Sequence, residues 1–238
     1  MKATFIGVGV GPGDPELMTL KAARYIEQAD IISYIANAKG VSQAKTIARE
    51  ALLRRKSTQE IPVIMPMSED RYIANKAYDA AAASIGQSLQ AGLTVVFLCE
   101  GDPLFFGSFA YLLERLQGLV ICEVVPGISS VHAASSALQL PLTMQKESFA
   151  VISGRHSQQK MIDTLNNHDS VVILKAGRSR QSILDAISAA NRTDDANYLE
   201  YISRDNQKIQ RDICALEGEA GPYFSLFIIT KTTQGRGQ

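Results

Sequence analysis

Apolar and polar positions follow two rhythms along the first half of the chain. Phe5–Val10 is a short apolar run closed by glycines, which predicts a strand buried on both faces. Thr19–Gln28 has helical spacing, Ile31–Ile35 is strand-like, and Ser42–Arg54 predicts a second helix. The clearest helix is Arg71–Gln90, where Ile73, Ala77, Ala81, Ile85 and Leu89 recur every four residues before Gly92 stops it. Strand Leu93–Cys99, helix Gly107–Leu116, strand Leu119–Val125 and helix Ser129–Leu138 follow. Strands alternating with helices require right-handed crossovers, hence a parallel sheet with helices on both faces.

The rhythm breaks at Leu140-Pro141-Leu142-Thr143, which places a domain boundary there: residues 1–142 and 143–238. Beyond it, Phe149–Ser153 and Val171–Lys175 are strand-like, with helices at Gln158–Asn166 and Ser182–Ala190. Ala196–Ser203, Gln207–Leu216 and Tyr223–Lys231 then follow without a helix-length gap. Short gaps demand antiparallel pairing, so the second half is expected to be a mixed sheet. The expected class is therefore α/β, a parallel-sheet N-terminal domain followed by a mixed-sheet C-terminal one.

Composition narrows the function. The 238 residues carry 24 Lys+Arg against 24 Asp+Glu, a net charge of zero. That argues against a general nucleic-acid binder, whose affinity needs excess cations near phosphates. No apolar window is long enough to span a membrane. The opening residues enter a strand at once without a leader-like apolar stretch, so a cytoplasmic protein is expected. Cys99, Cys122 and Cys214 are odd in number, far apart and set in apolar runs, which suits buried thiols in a reducing compartment. Among the residues His132, His156 and His168 there is no metal-ligand spacing, so no metal is expected.

Three strands end in similar glycine-rich punctuation: Gly9-Val10-Gly11-Pro12-Gly13-Asp14-Pro15, Glu100-Gly101-Asp102-Pro103, and Pro126-Gly127-Ile128-Ser129-Ser130. In an open parallel sheet, ligands bind beyond the carboxyl ends of the strands. No glycine leads into the Lys-Ser/Thr pair of a P-loop, and the dinucleotide fingerprint fails at Pro12, Asp14 and Glu16. Loops with acidic groups and few basic ones suit a cationic or amphipathic cofactor better than a phosphate, and the failed fingerprint disfavours a nicotinamide oxidoreductase.

Those loops, read in order, resemble the tetrapyrrole (corrin/porphyrin) methylase family. The resemblance lies in Val8-Gly9-Val10-Gly11-Pro12-Gly13-Asp14-Pro15-Glu16-Leu17, in Cys99-Glu100-Gly101-Asp102-Pro103-Leu104-Phe105-Phe106-Gly107-Ser108, and in Val125-Pro126-Gly127-Ile128-Ser129-Ser130. It extends to the break near Pro141 and the closing Tyr223-Phe224-Ser225-Leu226. Glu100 before Gly-Asp-Pro, Gly107-Ser108-Phe109, the Tyr72–Tyr78 stretch and Lys175 after Val172-Ile173-Leu174 are similar to members that methylate C20 of precorrin-2 in cobalamin synthesis. The alternative within the family is the cobalt-chelated form of that substrate. The resemblance implies two α/β domains, S-adenosylmethionine as methyl donor in the cleft between them, S-adenosylhomocysteine as product, and a homodimer that needs neither nucleic acid nor membrane.

The implied cofactor residues are Glu100, Gly101, Asp102, Phe105, Ser129 and Ser130, with Lys175, Tyr201, Ile202, Ser203, Ser225 and Leu226 from the second half. Each has a plainer alternative: Ser129 as a helix cap, Asp102 as a turn former, Lys175 as a solvated strand end. Gly11, Pro12, Gly13 and Asp14, with Arg71, Arg155 and Arg178, are the expected substrate-binding set. A polycarboxylate macrocycle needs cations at the mouth of the site. Lys76, Arg54-Arg55-Lys56, His156 and Arg180 are further candidates, although a charge cluster is usually a solvated face. Relatives that act on uroporphyrinogen carry an Asp-Arg pair after the second strand. Here that stretch is Ser33-Tyr34-Ile35-Ala36-Asn37, so no general base is assigned.

Overall fold

The computed structural model describes residues 3–65 and 70–231. The chain forms two compact units, Met1–Ser129 and Ser130–Gln238. The first is built from β1 (Thr4–Gly9), α1 (Leu20–Gln28), β2 (Ile31–Ala36), α2 (Gln43–Ile47), α3 (Arg49–Leu53), β3 (Gln59–Ile64), α4 (Arg71–Gln90), β4 (Val95–Cys99), α5 (Phe109–Leu116) and β5 (Ile121–Val125). Its sheet is wholly parallel, in the order β3-β2-β4-β1-β5.

The unbroken apolar runs of β1 and β4 follow from burial on both faces. Ile6, Val8, Val96 and Leu98 pack with Ala22 and Ile26 of α1, Ala44 and Ile47 of α2, and Ala51 of α3. Phe5, Val95, Phe97 and Cys99 point the other way, onto Ile85 and Leu89 of α4 and Phe109, Leu112 and Leu116 of α5. The period of two along a strand produces this division. Phe109 sits 5.1 Å from the Phe5 ring and 6.2 Å from Phe97.

Two expectations shift in this unit, and one strand was not foreseen. The helix foreseen over residues 42–54 is two short ones, because the backbone leaves helical geometry at Ala48 (φ −79°, ψ 3°). The α4 stripe buries only its later part: Tyr78, Ala81, Ala82, Ile85 and Leu89 are inside, while Ile73 is 41% exposed. A strict four-residue step overshoots the helical turn by about 40°, so Ile73 lies about 160° around the helix from Leu89. Strand β3 escapes the pattern because it is an edge strand: only Val63 is buried, and Pro62 is tolerated where no further neighbour needs an N–H.

The second unit holds α6 (Ser130–Leu138), β6 (Phe149–Ser153), α7 (Gln158–Asn167), β7 (Ser170–Leu174), α8 (Arg180–Ala189), β8 (Ala196–Glu200), β9 (Lys208–Gln210) and β10 (Ser225–Thr230). Its sheet is mixed, in the order β6-β7-β10-β8-β9; β6 and β7 are parallel, the other pairs antiparallel. Helices α7 and α8 cover one face, through Met161, Leu165, Ile183 and Ile187 on Val171, Ile173, Tyr198 and Phe227. Helix α6 covers the other, through Val131, Ala134 and Leu138 on Val172, Leu199, Leu226 and Ile228.

Compactness therefore divides the chain one helix before the expected boundary at residue 142, because the apolar face of α6 is buried on the second sheet. The strand foreseen over Gln207–Leu216 shrinks to three residues. Asp212 accepts a hydrogen bond from the Cys214 N–H at 2.9 Å and caps a 3₁₀ turn at Ile213–Ala215 instead.

Asp169 ties the starts of β6 and β7 to the end of β10. Its carboxylate accepts from the Ser148 N–H at 2.9 Å, pairs with Ser148 Oγ at 3.0 Å, and meets Lys231 Nζ at 2.7 Å. The hydrogen bond from Lys231, then those from Ser148, hold its pKa well below the usual carboxylate range. A depressed carboxylate pKa contributes stability above the unfolded value and loses it as pH falls. Asp169→Asn is therefore expected to lower the unfolding midpoint at pH 7, with the gap to wild type closing as the pH drops below about 4, which thermal melts across that range will read.

Candidate functional site

In the first unit, the loops after β1, β4 and β5 meet as bare backbone. Val10 N–H donates to Cys99 O at 2.9 Å, and Gly101 N–H donates to Gly11 O at 2.8 Å, which extends the β1–β4 pairing into the loops. A Cβ at Gly127 would lie 2.1 Å from Gly101 O, and one at Gly9 would lie 2.6 Å from Gly127 Cα. A side chain at either position would force the backbone to shift, because the obstructing atoms are backbone. Gly101 takes φ +65°, open to glycine at little cost.

Asp102 fastens this junction. One carboxylate oxygen accepts from Gly127 N–H at 3.0 Å, the other from Leu104 N–H at 2.9 Å. It is thus both the turn former and a brace between two loops. Leu104, Phe105 and Phe106 are exposed in succession, with Phe106 at φ +56° and the two rings edge-to-face at 5.1 Å. A solvent-facing aromatic pair on a loop this constrained is a candidate contact surface for an apolar ligand face. Glu100 is half-buried at the head of the same loop, and Ser129 is buried just before α6 begins at Ser130.

The other expected residues of this unit are placed as follows. Gly11 and Pro12 are buried, Gly13 and Asp14 half-buried; Asp14 accepts from Glu16 N–H at 2.8 Å and caps the 3₁₀ turn Pro15–Leu17. Arg71 is exposed at the start of α4, its guanidinium 5.3 Å from the Tyr111 ring and 3.4 Å from the Tyr111 hydroxyl, a bond that raises its pKa. Arg54 pairs with Glu27, and Arg55 donates to the carbonyls of Ser57 and Gln59. Burial pushes the Cys99 thiol far up, so it is not a nucleophile. Asn37 ends β2 by accepting from the N–H groups of Lys39 and Val41 at 2.9 and 3.1 Å, and offers no acid there.

In the second unit, the expected residues converge on one sheet edge, at the ends of β7 and β8 and the start of β10. Ser225 lies opposite Glu200, and Leu226 lies opposite Leu174 on one side and Leu199 on the other. Ala176 N–H donates to Ser225 O at 3.2 Å, and Tyr201 N–H to Phe224 O at 2.9 Å. Lys175 (φ 58°), Tyr201 (φ 51°) and Ser203 (φ 62°) hold left-handed backbone. Non-glycine residues pay for that conformation, and such strain concentrates where a ligand is gripped. Leu226 and Ile202 turn their side chains into the core, so each offers a ligand backbone only. Ser225 Oγ donates to Pro222 O at 2.7 Å. Arg155 and Arg178 are exposed after the ends of β6 and β7.

The expectation of Arg180 as a free cation for substrate fails. Its side chain is 11% exposed, and its guanidinium donates to the Tyr198 hydroxyl at 2.7 Å and to Glu200 at 3.1 Å; Tyr198 in turn donates to Glu200 at 2.9 Å. Burial first raises the Tyr198 pKa. Tyr198 and Glu200 carry a single signal in the sequence, an acid at the end of an otherwise apolar strand. Among the described residues no cluster of three or more His, Cys, Asp or Glu could hold a metal ion, and no helix is long and apolar enough to cross a membrane.

The chain thus joins a parallel α/β unit whose glycine loops meet as bare backbone to a mixed-sheet unit whose edge carries left-handed turns. Over residues 4–214 the chain matches the model of the tetrapyrrole (corrin/porphyrin) methylases, and it belongs to that family. It is 34% identical over 232 residues to a precorrin-2 C(20)-methyltransferase from a Sinorhizobium species, covering 94% of each chain. It is 28% identical to the cobalt-precorrin-2 C(20)-methyltransferase of Salmonella typhimurium, covering 97% of this chain and 98% of that one. The uroporphyrin-III C-methyl transferase of Thermus thermophilus, solved with S-adenyl homocysteine, has the same fold: TM-score 0.67, 23% identity, covering 96% of this chain and 97% of that one.

The junction of glycine backbones generates a direct test. Gly127→Ala is expected to destabilise the protein by about 1–3 kcal/mol, because backbone must move to admit the methyl group. Gly86→Ala, in α4 with its nearest atom 4.0 Å away, is expected to be neutral or stabilising by about 0.5–1 kcal/mol. Denaturant unfolding of the two variants beside wild type checks both.

Proposed function

We propose that this protein is an S-adenosylmethionine-dependent methyltransferase that methylates C20 of precorrin-2, giving precorrin-3A in cobalamin biosynthesis. The observation that carries the reading is the 34% identity across 94% of both chains with the Sinorhizobium enzyme of that name. The loop chemistry supports it. Glu100, Gly101, Asp102, Phe105, Ser129 and Ser130 are the proposed cofactor contacts carried by the glycine loops and the start of α6. Lys175, Tyr201, Ile202, Ser203, Ser225 and Leu226 are those of the second unit. The residues suit the cofactor: bare carbonyls and N–H groups, an aromatic surface and left-handed turns, without the basic clamp a phosphate needs.

When bound, S-adenosylmethionine supplies a methyl group on a sulfonium sulfur, open to in-line displacement. The nucleophile is a carbon of the macrocycle, so the chain has no need of a side-chain nucleophile, in keeping with the buried thiol of Cys99. The work left to the protein is binding and orientation, which is worth on the order of 7–11 kcal/mol. The constrained Glu100–Gly107 loop and the Ser225 edge are suited to it. Gly11, Pro12, Gly13 and Asp14 are the proposed floor for the substrate. Arg71, Arg155 and Arg178 are the proposed partners of its carboxylates, all three being exposed at strand or helix ends. A homodimer in the cytoplasm belongs to the same proposal.

The identity with the Salmonella relative favours a second reading, the cobalt-chelated substrate. Incubation with S-adenosylmethionine and precorrin-2, with and without cobalt, separates the two by mass spectrometry. Gain of one methyl group on the metal-free substrate alone is expected. Gain only on the cobalt form would move the assignment to the second reading, and no gain on either would sink C20 methylation.

A narrower outcome concerns Asp102. Asp102→Ala removes the acceptor of two loop N–H groups. It is expected to weaken S-adenosylhomocysteine binding about tenfold, a loss of about 1.4 kcal/mol. Unchanged affinity by titration calorimetry would remove Asp102 from the cofactor site.

A further inference from the structure

The strained edge of the second unit is held by a buried polar network. Arg180 opens α8, and its side chain is 11% exposed, as is that of Glu200 at the end of β8. Besides its bonds to Tyr198 and Glu200, the Arg180 guanidinium lies 4.8 Å over the Tyr198 ring. It also lies against the main chain of the segment that enters β10: a Cβ at Gly221 would fall 2.0 Å from Arg180 Nη2 and 2.6 Å from the Tyr198 hydroxyl. Gly221 N–H donates to Gly177 O at 2.9 Å, and Pro222 O accepts from Ser225 Oγ. Lys208 Nζ stands 3.8 Å from the other Glu200 oxygen. Three chain segments thus meet on one guanidinium: the start of α8, the end of β8, and the strap Gly221–Ser225.

Net stability is a poor reason for such a pair. A buried ion pair is roughly matched by well-packed apolar side chains, and its best-attested use is to specify one arrangement among several. Arg180 Nε is moreover buried without a hydrogen-bond partner among the described residues, a cost that packing alone would not retain. What the network specifies is close at hand. Glu200 directly precedes the left-handed Tyr201 and faces Ser225 across the β8–β10 ladder. Within the strap, the Phe224 carbonyl accepts from Tyr201 N–H.

We propose that Arg180, through Glu200 and Tyr198, is a positioning residue that sets the Tyr201–Ser203 turn and the Gly221–Ser225 strap in the conformation that receives the cofactor. The inference rests on the reading that this edge contacts S-adenosylmethionine. Arg180 Nη2 alone donates to both Tyr198 and Glu200, while the planar guanidinium lies 4.8 Å over the Tyr198 ring, a face-on contact that a lysine ammonium at the same place does not reproduce.

The test compares Arg180→Met and Arg180→Lys with Arg192→Met. Arg192 is an equally engaged arginine at the opposite end of the same sheet, donating to the carbonyls of Leu165, His168 and Asp169. Unfolding midpoints and S-adenosylhomocysteine affinity are measured on each full-length chain well below the midpoint. Arg180→Met is expected to weaken affinity about tenfold or more, with KM for S-adenosylmethionine rising more than kcat falls, and Arg180→Lys to recover part of the loss. Arg192→Met is expected to lower the midpoint while leaving affinity within about twofold. Wild-type affinity in folded Arg180→Met, or the same affinity loss in Arg192→Met, overturns the proposal. Failure of the folded wild-type chain to bind S-adenosylhomocysteine overturns instead the cofactor reading beneath it. If Arg180→Met does not fold, Tyr198→Phe keeps the ring and deletes the linking hydroxyl: weakened affinity at an unchanged midpoint supports the network, and unchanged affinity overturns it.

Discussion

Three backbones meet at the carboxyl edge of the first sheet, and the local architecture of that edge depends on their contact. Gly9, Gly101 and Gly127 approach one another so closely that a side chain at the first or the last would force the backbone to shift. This contact lets the loops after β1, β4 and β5 form one continuous surface of peptide groups. Asp102 satisfies two of their N–H donors and so ties two of the loops together. Bracing of this kind suits a reaction in which the substrate supplies the nucleophile and the protein supplies geometry.

The second unit reaches a similar end by different means. Its edge is made by side-chain-bearing residues in left-handed backbone, at Lys175, Tyr201 and Ser203, each of which costs on the order of 1–3 kcal/mol. Such positions persist only where the surroundings over-determine them. Here the surroundings are the β7–β10–β8 ladder and the buried Arg180–Tyr198–Glu200 network.

Much of this was legible in the residues. The apolar run Phe5–Val10 read as a buried parallel strand and Leu93–Cys99 as another strand of the same alternating α/β pattern, and both are central in the parallel sheet. The glycine punctuation marked the ligand edge, and the order of its three motifs pointed to the family that the comparisons bear out. The edge strand β3 was not legible, since an edge needs little apolar content. Nor was the fate of α6, whose small apolar residues suit either sheet and pack on the second.

What the sequence determined by itself was therefore periodic or chemical in kind: strands and helices from the spacing of apolar residues, and glycine-rich loops at the carboxyl ends of strands that match neither the P-loop nor the dinucleotide fingerprint. Tertiary structure decided what depends on distant partners. Arg180 reads as one more surface cation beside Arg178, yet it is buried because Glu200, twenty residues on, and the strap at Gly221 close around it. Asp102 reads as a turn former, yet its second oxygen holds a loop twenty-five residues away. A charge's role is set by what desolvates and pairs it, and those neighbours are fixed by the fold rather than by the chain.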